Sequence, residues 1–174
     1  MYGFLLLIPF LLIRFGLLSL LNRDAVSRAA RFAPVQGGER AAYWVYQLSN
    51  VGIFLVLFSL KVEVRYFSWQ LASGLLCYIL GLCLCAASTA AFAFPDEGGM
   101  NRNGVYRFSR NPMYVSYCIC FAGMALLTRS WLLFGLTAVF QISAHWIILS
   151  EERWCVETFG TAYTQYMKTV RRYI

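Results

Sequence analysis

The chain has 174 residues, of which 60% are hydrophobic, 17% are aromatic and only 13% are charged. Soluble domains average about 25% charged residues, so this composition excludes an ordinary soluble globule. The formal net charge of +7 does not indicate nucleic-acid binding, because the basic residues lie between apolar blocks and form no stripe along a helix. We expect basic residues in this arrangement to set membrane topology and to contact anionic lipid.

Five apolar stretches follow one another, each about long enough to cross the ~30 Å hydrocarbon layer as a helix. They cover residues 2–21, 43–60, 69–94, 112–127 and 131–149. A three-residue connection between the last two predicts a tight helical hairpin, and residues 150–174 predict a C-terminal cytosolic or interfacial helix. The predicted fold is therefore an all-α integral membrane protein. We divide it into residues 1–94, with the first three transmembrane helices, and residues 95–174, with the last two and the C-terminal helix, within one membrane domain.

Pro9 and Arg14 interrupt the first span, which predicts a kink with a charge inside it. The long Arg14 side chain would reach the headgroups by snorkelling. The span has neither a basic start nor a small-residue cleavage site, so we expect it to be retained and not removed as a signal peptide.

The distribution of basic residues predicts the orientation. Eleven lie in segments 22–42, 95–111 and 150–174, against three (Lys61, Arg65 and Arg129) in the opposite loops. We therefore expect the N-terminus outside and the C-terminus in the cytosol.

Two other features have simple packing interpretations. The six cysteines lie mostly within apolar runs, without a Cys-x-x-Cys pair or a histidine at zinc-ligand spacing, so we expect reduced packing residues and no metal site. Residues 86–93 are almost all Ala, Ser and Thr, which favours close helix packing, with room for a ligand as the alternative.

The fourth span begins with Asn111-Pro112-Met113-Tyr114. Proline suits the first turn of a helix, and Asn111 is a candidate N-cap. The free amides and positive dipole end of this helix form a seat for a carboxylate or phosphate. The alternative is an ordinary capped helix start.

Glu151 and Glu152 follow the fifth span. At 100° per residue, Glu152 shares a stripe with Gln141, His145 and Ile148, whereas Glu151 points roughly 100° away. Glu152 is thus expected to face the bundle and Glu151 to face elsewhere. For the two glutamates, the alternative is a solvated helix end where basic residues pair with them. For His145, the alternative is a hydrogen bond to a neighbouring helix.

An aromatic stripe marks the tail, where Phe159, Tyr163, Tyr166, Val170 and Tyr173 recur at helical spacing. An amphipathic helix on the membrane interface explains it, and a tyrosine covering a cofactor base is the alternative.

Taken together, these motifs resemble the isoprenylcysteine carboxyl methyltransferases and related membrane phospholipid methyltransferases. The similar segments are Gly104-Val105-Tyr106-Arg107, Ser109-Arg110-Asn111-Pro112-Met113-Tyr114, Glu151-Glu152 and Phe159-Gly160-x-x-Tyr163-x-x-Tyr166, within residues 100–174. One departure is Asn111, because the family usually has histidine there; asparagine binds through hydrogen bonds but does not carry charge.

The resemblance implies a methyltransferase that uses S-adenosylmethionine and releases S-adenosylhomocysteine. Arg110 and Glu152 are the candidate catalytic residues. The candidate cofactor-binding residues are Tyr106, Arg110, Asn111, Pro112, Tyr114, His145, Glu151, Glu152 and Tyr163.

The expected acceptor is a lipophilic small molecule, a lipid or a prenylated substrate that enters from the bilayer. A carboxylate acceptor needs an arginine to orient it, whereas an amine acceptor would use Glu152 as the base. Two other classes stay open: an NADPH-dependent membrane enzyme resembling sterol reductases, and a non-catalytic membrane assembly subunit.

Overall fold

The structure is a computed structural model that describes residues 1–30, 33–62 and 68–174. In these ranges it has seven main helices, a short 3₁₀ helix at Gly104–Arg107 and no strand, which confirms the all-α membrane fold. They are α1 (Gly3–Leu21), α2 (Arg23–Ala29), α3 (Glu39–Ser59), α4 (Trp69–Ala93), α5 (Pro112–Thr128), α6 (Trp131–Phe159) and α7 (Thr161–Thr169). Arg31 and Arg65, which the orientation argument counts, lie outside the described residues.

Helices α1, α3, α4 and α6 are long and apolar enough to cross a membrane. Helix α5 occupies the fourth predicted span but has 17 residues, the lower end of the spanning range, and is about 26 Å long. It is enclosed by its neighbours, since most of its side chains are buried. The chain is thus a multi-pass membrane protein whose shortest apolar helix lies at its centre.

Tryptophans mark both ends of the bundle. Trp69 and Trp131 begin α4 and α6 at one end and are 73% and 87% exposed. Trp44 and Trp154 lie at the opposite end and are also exposed. Because tryptophan prefers the headgroup level, these residues indicate where the two membrane surfaces lie. We call the end with Trp44 and Trp154 the site end.

Helix α1 is continuous but irregular. It begins as a 3₁₀ turn (Gly3–Leu6) and contains a π-helical segment (Leu12–Leu17) that includes Arg14. Pro9 lacks an N–H group and crowds the preceding turn, which accounts for a change of winding near it. The predicted interruption therefore takes the form of changed helical winding around Arg14.

Three glycines allow α4 and α5 to cross closely. A Cβ added at Gly81 would lie 2.6 Å from the Cys120 nitrogen, and one at Gly123 would lie 2.5 Å from the Tyr78 nitrogen. Gly74 faces Leu126 in the same way. The Ala-rich stretch 86–93 is also packed: Ala93 forms a small cluster with Leu18 of α1 and Ala25 of α2.

The α5–α6 hairpin is as predicted. Arg129 adopts a left-handed conformation at φ 52°, and the Ser130 side chain caps α6 by accepting a hydrogen bond from the Leu133 amide at 3.2 Å. The tail differs from the single aromatic stripe expected. Helix α6 continues ten residues past the predicted end of its span, and Gly160 then breaks it at φ 57°, ψ −127°. Val170 and Tyr173 follow α7 as non-helical chain.

Candidate active site

A cavity of about 530 Å³ opens at the site end, and each of the helices α1 to α7 contributes to its wall. This volume lies within the usual range for small-molecule sites, about 300–1,000 Å³. We call it the site cavity. Its wall combines charged side chains with aromatic rings: Arg14, Arg28, Arg110, Glu151 and Glu152, with Tyr46, Phe92, Tyr106, Tyr114, Tyr117, Trp154, Phe159, Tyr163 and Tyr166.

Glu152 is held by two arginines. Arg110 approaches its Oε1 through Nε at 3.1 Å and Nη2 at 3.0 Å, and Arg172 donates to Oε2 through Nη2 at 2.8 Å. The side chains of Arg110 and Glu152 are 7% and 5% exposed. Asn111 Nδ2 reaches the same Oε1 at 3.5 Å. Glu152 therefore faces the bundle, as predicted, with most of its acceptor capacity already used.

The same residues fasten the tail to the start of α5. Asn111 Nδ2 donates to the Arg172 carbonyl at 3.1 Å, and the Arg110 amide donates to the Arg171 carbonyl at 2.9 Å. Asn111 occupies the N-cap position of α5, yet its side chain makes no capping hydrogen bond within the described chain. Asn111 therefore binds the C-terminal tail instead of capping α5, and the first amides of α5 receive no hydrogen-bond acceptor from its side chain.

Glu151, a candidate cofactor-binding residue, also lines the site cavity, although the helical wheel turns it about 100° away from Glu152. Its Oε1 accepts a hydrogen bond from the Tyr114 hydroxyl at 2.8 Å. No arginine or lysine among the described residues lies within ion-pair distance of it. The cavity receives side chains from both flanks of α6, which a helical wheel drawn for this helix alone does not indicate. Glu151 is thus the carboxylate with acceptor capacity to spare.

Tyrosines of the tail cover the cavity. Tyr166 donates its hydroxyl to the Tyr106 carbonyl at 2.6 Å, and Tyr163 packs beside it with ring centroids 5.7 Å apart. Burial raises the pKa of Tyr166 to about 12 and raises that of Tyr106 further. Both phenols are therefore neutral hydrogen-bonding groups at physiological pH.

Two arginines in the wall were not predicted as site residues. Arg28 of α2 donates through Nη2 to the Phe92 carbonyl at 3.0 Å, while its buried Nε has no partner in the described part of the chain. Arg14 reaches the cavity from α1. The sequence did signal Arg14 as a charge within a span, but Arg28 looked like an ordinary topology determinant.

Seven of the nine predicted cofactor-binding residues line the site cavity: Tyr106, Arg110, Asn111, Tyr114, Glu151, Glu152 and Tyr163. Pro112 and His145 are not part of its wall as described. Pro112 begins α5, and His145 lies 2.7 Å through Nδ1 from the Tyr173 hydroxyl. Across the described ranges, no group of three or more His, Cys, Asp or Glu side chains could hold a metal ion.

Comparison with known proteins identifies one family. The family model described as phospholipid methyltransferase matches residues 69–162, which contain α4, α5 and α6. No curated protein and no solved structure matches the chain significantly. The match includes Arg110, Asn111, Tyr114 and both glutamates, and it leaves α1–α3 outside. The chain belongs to the phospholipid methyltransferase family of membrane methyltransferases, which the isoprenylcysteine carboxyl methyltransferases share.

Proposed function

We propose that the chain transfers the methyl group of S-adenosylmethionine to an acceptor with an apolar chain. The observation that carries the proposal is the site cavity, where Glu151 offers a carboxylate with one hydrogen-bond donor, Tyr114, among aromatic rings. A carboxyl group among aromatic faces favours a cationic ligand that is partly apolar, because the ligand's charge stabilises the ionised carboxylate. A sulfonium has this character. Family membership accounts for a methyl donor but does not by itself identify it.

The residues present fit such a donor. The α-amino group or ribose hydroxyls would donate to Glu151, and the uncapped amides at the start of α5 would receive a carboxylate. The Arg28 side chain, with its unpartnered Nε in the wall, adds a second donor for an anionic group. The tail tyrosines, with Tyr163 foremost, would cover the bound base and exclude water. When bound, the donor supplies an activated methyl on sulfur, so the protein mainly has to align the acceptor.

Arg110 and Glu152 are better suited to positioning than to chemistry. Arg110 also donates through Nη1 to the Met167 carbonyl at 3.0 Å, so its guanidinium joins α5, α6 and the tail. Both carboxylate oxygens of Glu152 already accept hydrogen bonds from arginines, which leaves little acceptor capacity for a substrate. Glu151 is therefore the better base if the acceptor is an amine. The predicted catalytic roles of Arg110 and Glu152 remain untested.

The acceptor would enter from the bilayer. Methyl transfer to a carboxylate forms a C–O bond as the C–S bond breaks and needs no base, whereas transfer to an amine also releases a proton. Both a prenylated carboxylate and a phospholipid amine fit this class. We also propose that the site end faces the cytosol, because the excess of basic residues lies there.

The test is calorimetric titration of the detergent-purified protein with S-adenosylhomocysteine, and in parallel with NADPH. Micromolar binding of S-adenosylhomocysteine, without binding of NADPH, is the expected result. Binding of NADPH alone would replace the proposal with the reductase alternative. Binding of neither would favour the non-catalytic assembly subunit.

A further inference from the structure

Arg14 lies where two cavities meet. Besides the site cavity, it lines a second cavity of about 350 Å³, which we call the apolar cavity. The two cavities share Arg14, Ala29, Tyr46 and Tyr117. A molecule in the apolar cavity could therefore place one end beside Arg14, next to the space that we assign to the methyl donor.

Arg14 forms no ion pair in the described part of the chain, and Glu151, which faces the same site cavity, acts on it electrostatically from a greater distance. Its Nη1 lies 3.4 Å from the Met113 sulfur, a weak acceptor, and its guanidinium carbon lies 5.2 Å from the centroid of the Tyr117 ring. Neither contact neutralises the charge. A cation within a membrane helix is costly and normally has a counter-charge. No described carboxylate lies within ion-pair distance of Arg14, so an anion that enters the cavity would be its direct partner.

A second polar group at the same place is also unsatisfied. The Tyr117 hydroxyl is buried and has no hydrogen-bond partner among the described residues. Because an unpaired buried hydroxyl destabilises the free protein, a ligand that accepts a hydrogen bond from it recovers that loss. Arg14 and Tyr117 together offer a cation and an O–H donor, the combination that binds a carboxylate or a phosphate oxygen.

The apolar cavity suits a hydrocarbon chain. It lies between α1, α3, α5 and α6, and much of its wall is aliphatic or aromatic: Phe10, Leu11, Phe15, Phe54, Phe121 and Phe140. Helices α1 and α3 face lipid elsewhere, with Leu12 and Leu55 exposed. A lipid-borne chain could reach this space without crossing water.

We propose that Arg14 and Tyr117 bind an anionic group on the acceptor, whose apolar chain lies in the apolar cavity. The proposal rests on the proposed function and deepens it by assigning recognition of the acceptor's anion, a carboxylate or a phosphodiester, to Arg14 and Tyr117. Arg14 lies outside the matched segment 69–162 and Tyr117 lies inside it, so this recognition would join the N-terminal helices to the matched part of the chain.

The experiment measures binding of two farnesylated N-acetylcysteine probes by calorimetry, one with its free carboxylate and one with a neutral carboxamide. Arg14→Gln should weaken binding of the carboxylate probe about 10- to 100-fold, the range for a hydrogen bond to a charged group, and change carboxamide binding less than about 2-fold. Arg14→Lys should recover part of the loss, and Tyr117→Phe should weaken the carboxylate probe about 3- to 10-fold. Arg23→Gln, at an exposed position of α2, is the charge-matched control.

A parallel arm uses phosphatidylethanolamine in mixed micelles and measures transfer of labelled methyl. Loss confined to this arm in Arg14→Gln identifies a phosphodiester as the bound anion, and loss confined to the farnesylated carboxylate identifies a carboxylate. Equal weakening of the charged and neutral farnesylated probes, or no change in any arm of the experiment, overturns the proposal. S-adenosylhomocysteine affinity is measured for every variant: wild-type protein that fails to bind it refutes the proposed function, whereas charge-selective acceptor binding is read independently.

Discussion

At the residue scale, the two adjacent glutamates have different environments although they look equivalent in sequence. Glu152 is saturated by Arg110 and Arg172, whereas Glu151 has Tyr114 as its hydrogen-bond donor. The difference arises from Arg172, twenty positions along the chain, which reaches Glu152 only because the tail folds back. A helical wheel contains no information of that kind.

Glu151→Gln should weaken S-adenosylhomocysteine binding about 10- to 100-fold, because a neutral amide replaces the charged acceptor in a largely apolar wall. Calorimetry on the purified variant measures the loss. Glu157→Gln is the matched control, since Glu157 is an exposed position of the same helix. Unchanged affinity in Glu151→Gln would remove this residue from the site.

At the element scale, the tail is held to the bundle by a few charged contacts. Glu152→Gln would leave the Arg110 guanidinium, 7% exposed, without its counter-ion. Breaking a buried ion pair in this way costs about 3–5 kcal/mol. We expect a lower unfolding temperature and faster amide exchange over residues 160–174, measured by mass spectrometry in detergent. Glu97→Gln, in the exposed loop after α4, should change neither. If residues 160–174 stay protected from amide exchange in Glu152→Gln, the ion pairs of Glu152 are not needed to hold the tail.

The α4–α5 crossing depends on having no side chain at Gly123. A Cβ there would meet the Tyr78 nitrogen at 2.5 Å, and backbone cannot move aside cheaply. Gly123→Val should therefore destabilise the protein by about 1–3 kcal/mol or more, seen as a lower unfolding temperature. Gly135→Ala on α6 is the control, because no described atom outside its local helix lies within 4 Å of the added carbon. Equal melting of both variants would contradict this account of the crossing.

The sequence predicted the individual helices better than the contacts between residues that are distant along the chain. The lengths of the apolar stretches predict the helix positions and the fold class. The short connection that contains Arg129 and Ser130 predicts the α5–α6 hairpin. The extension of α6 to Phe159 was missed, because a charged, aromatic segment has no apolar signal once it leaves the membrane. Arg28 was missed because its contacts, the Phe92 and Ala93 carbonyls, are over sixty residues away. The periodicity of apolar residues describes a single helix and does not predict its contacts with distant segments.

At the scale of the whole molecule, the orientation of the protein in the membrane stays a prediction. We expect the C-terminal tail in the cytosol, because the basic residues concentrate at the site end. Single cysteines introduced at Glu97 and Arg129 in a cysteine-free background, labelled from outside intact cells, test it. Labelling at Arg129 alone is expected, and labelling at Glu97 alone would invert the topology. The division into regions 1–94 and 95–174 also stays a prediction.

Helix α6 fixes the distance between the site and the far membrane surface. Twenty residues separate Trp131 from Glu151, which corresponds to about 30 Å along the helix. That length equals the hydrocarbon thickness of an average bilayer, so with Trp131 at one interface Glu151 emerges at the other. Thicker bilayers would draw the carboxylate below the headgroups, and thinner ones would lift it away from the lipid that carries the acceptor. Methyl transfer in vesicles of increasing acyl length should therefore peak near matched thickness, which makes membrane composition itself a regulator of turnover.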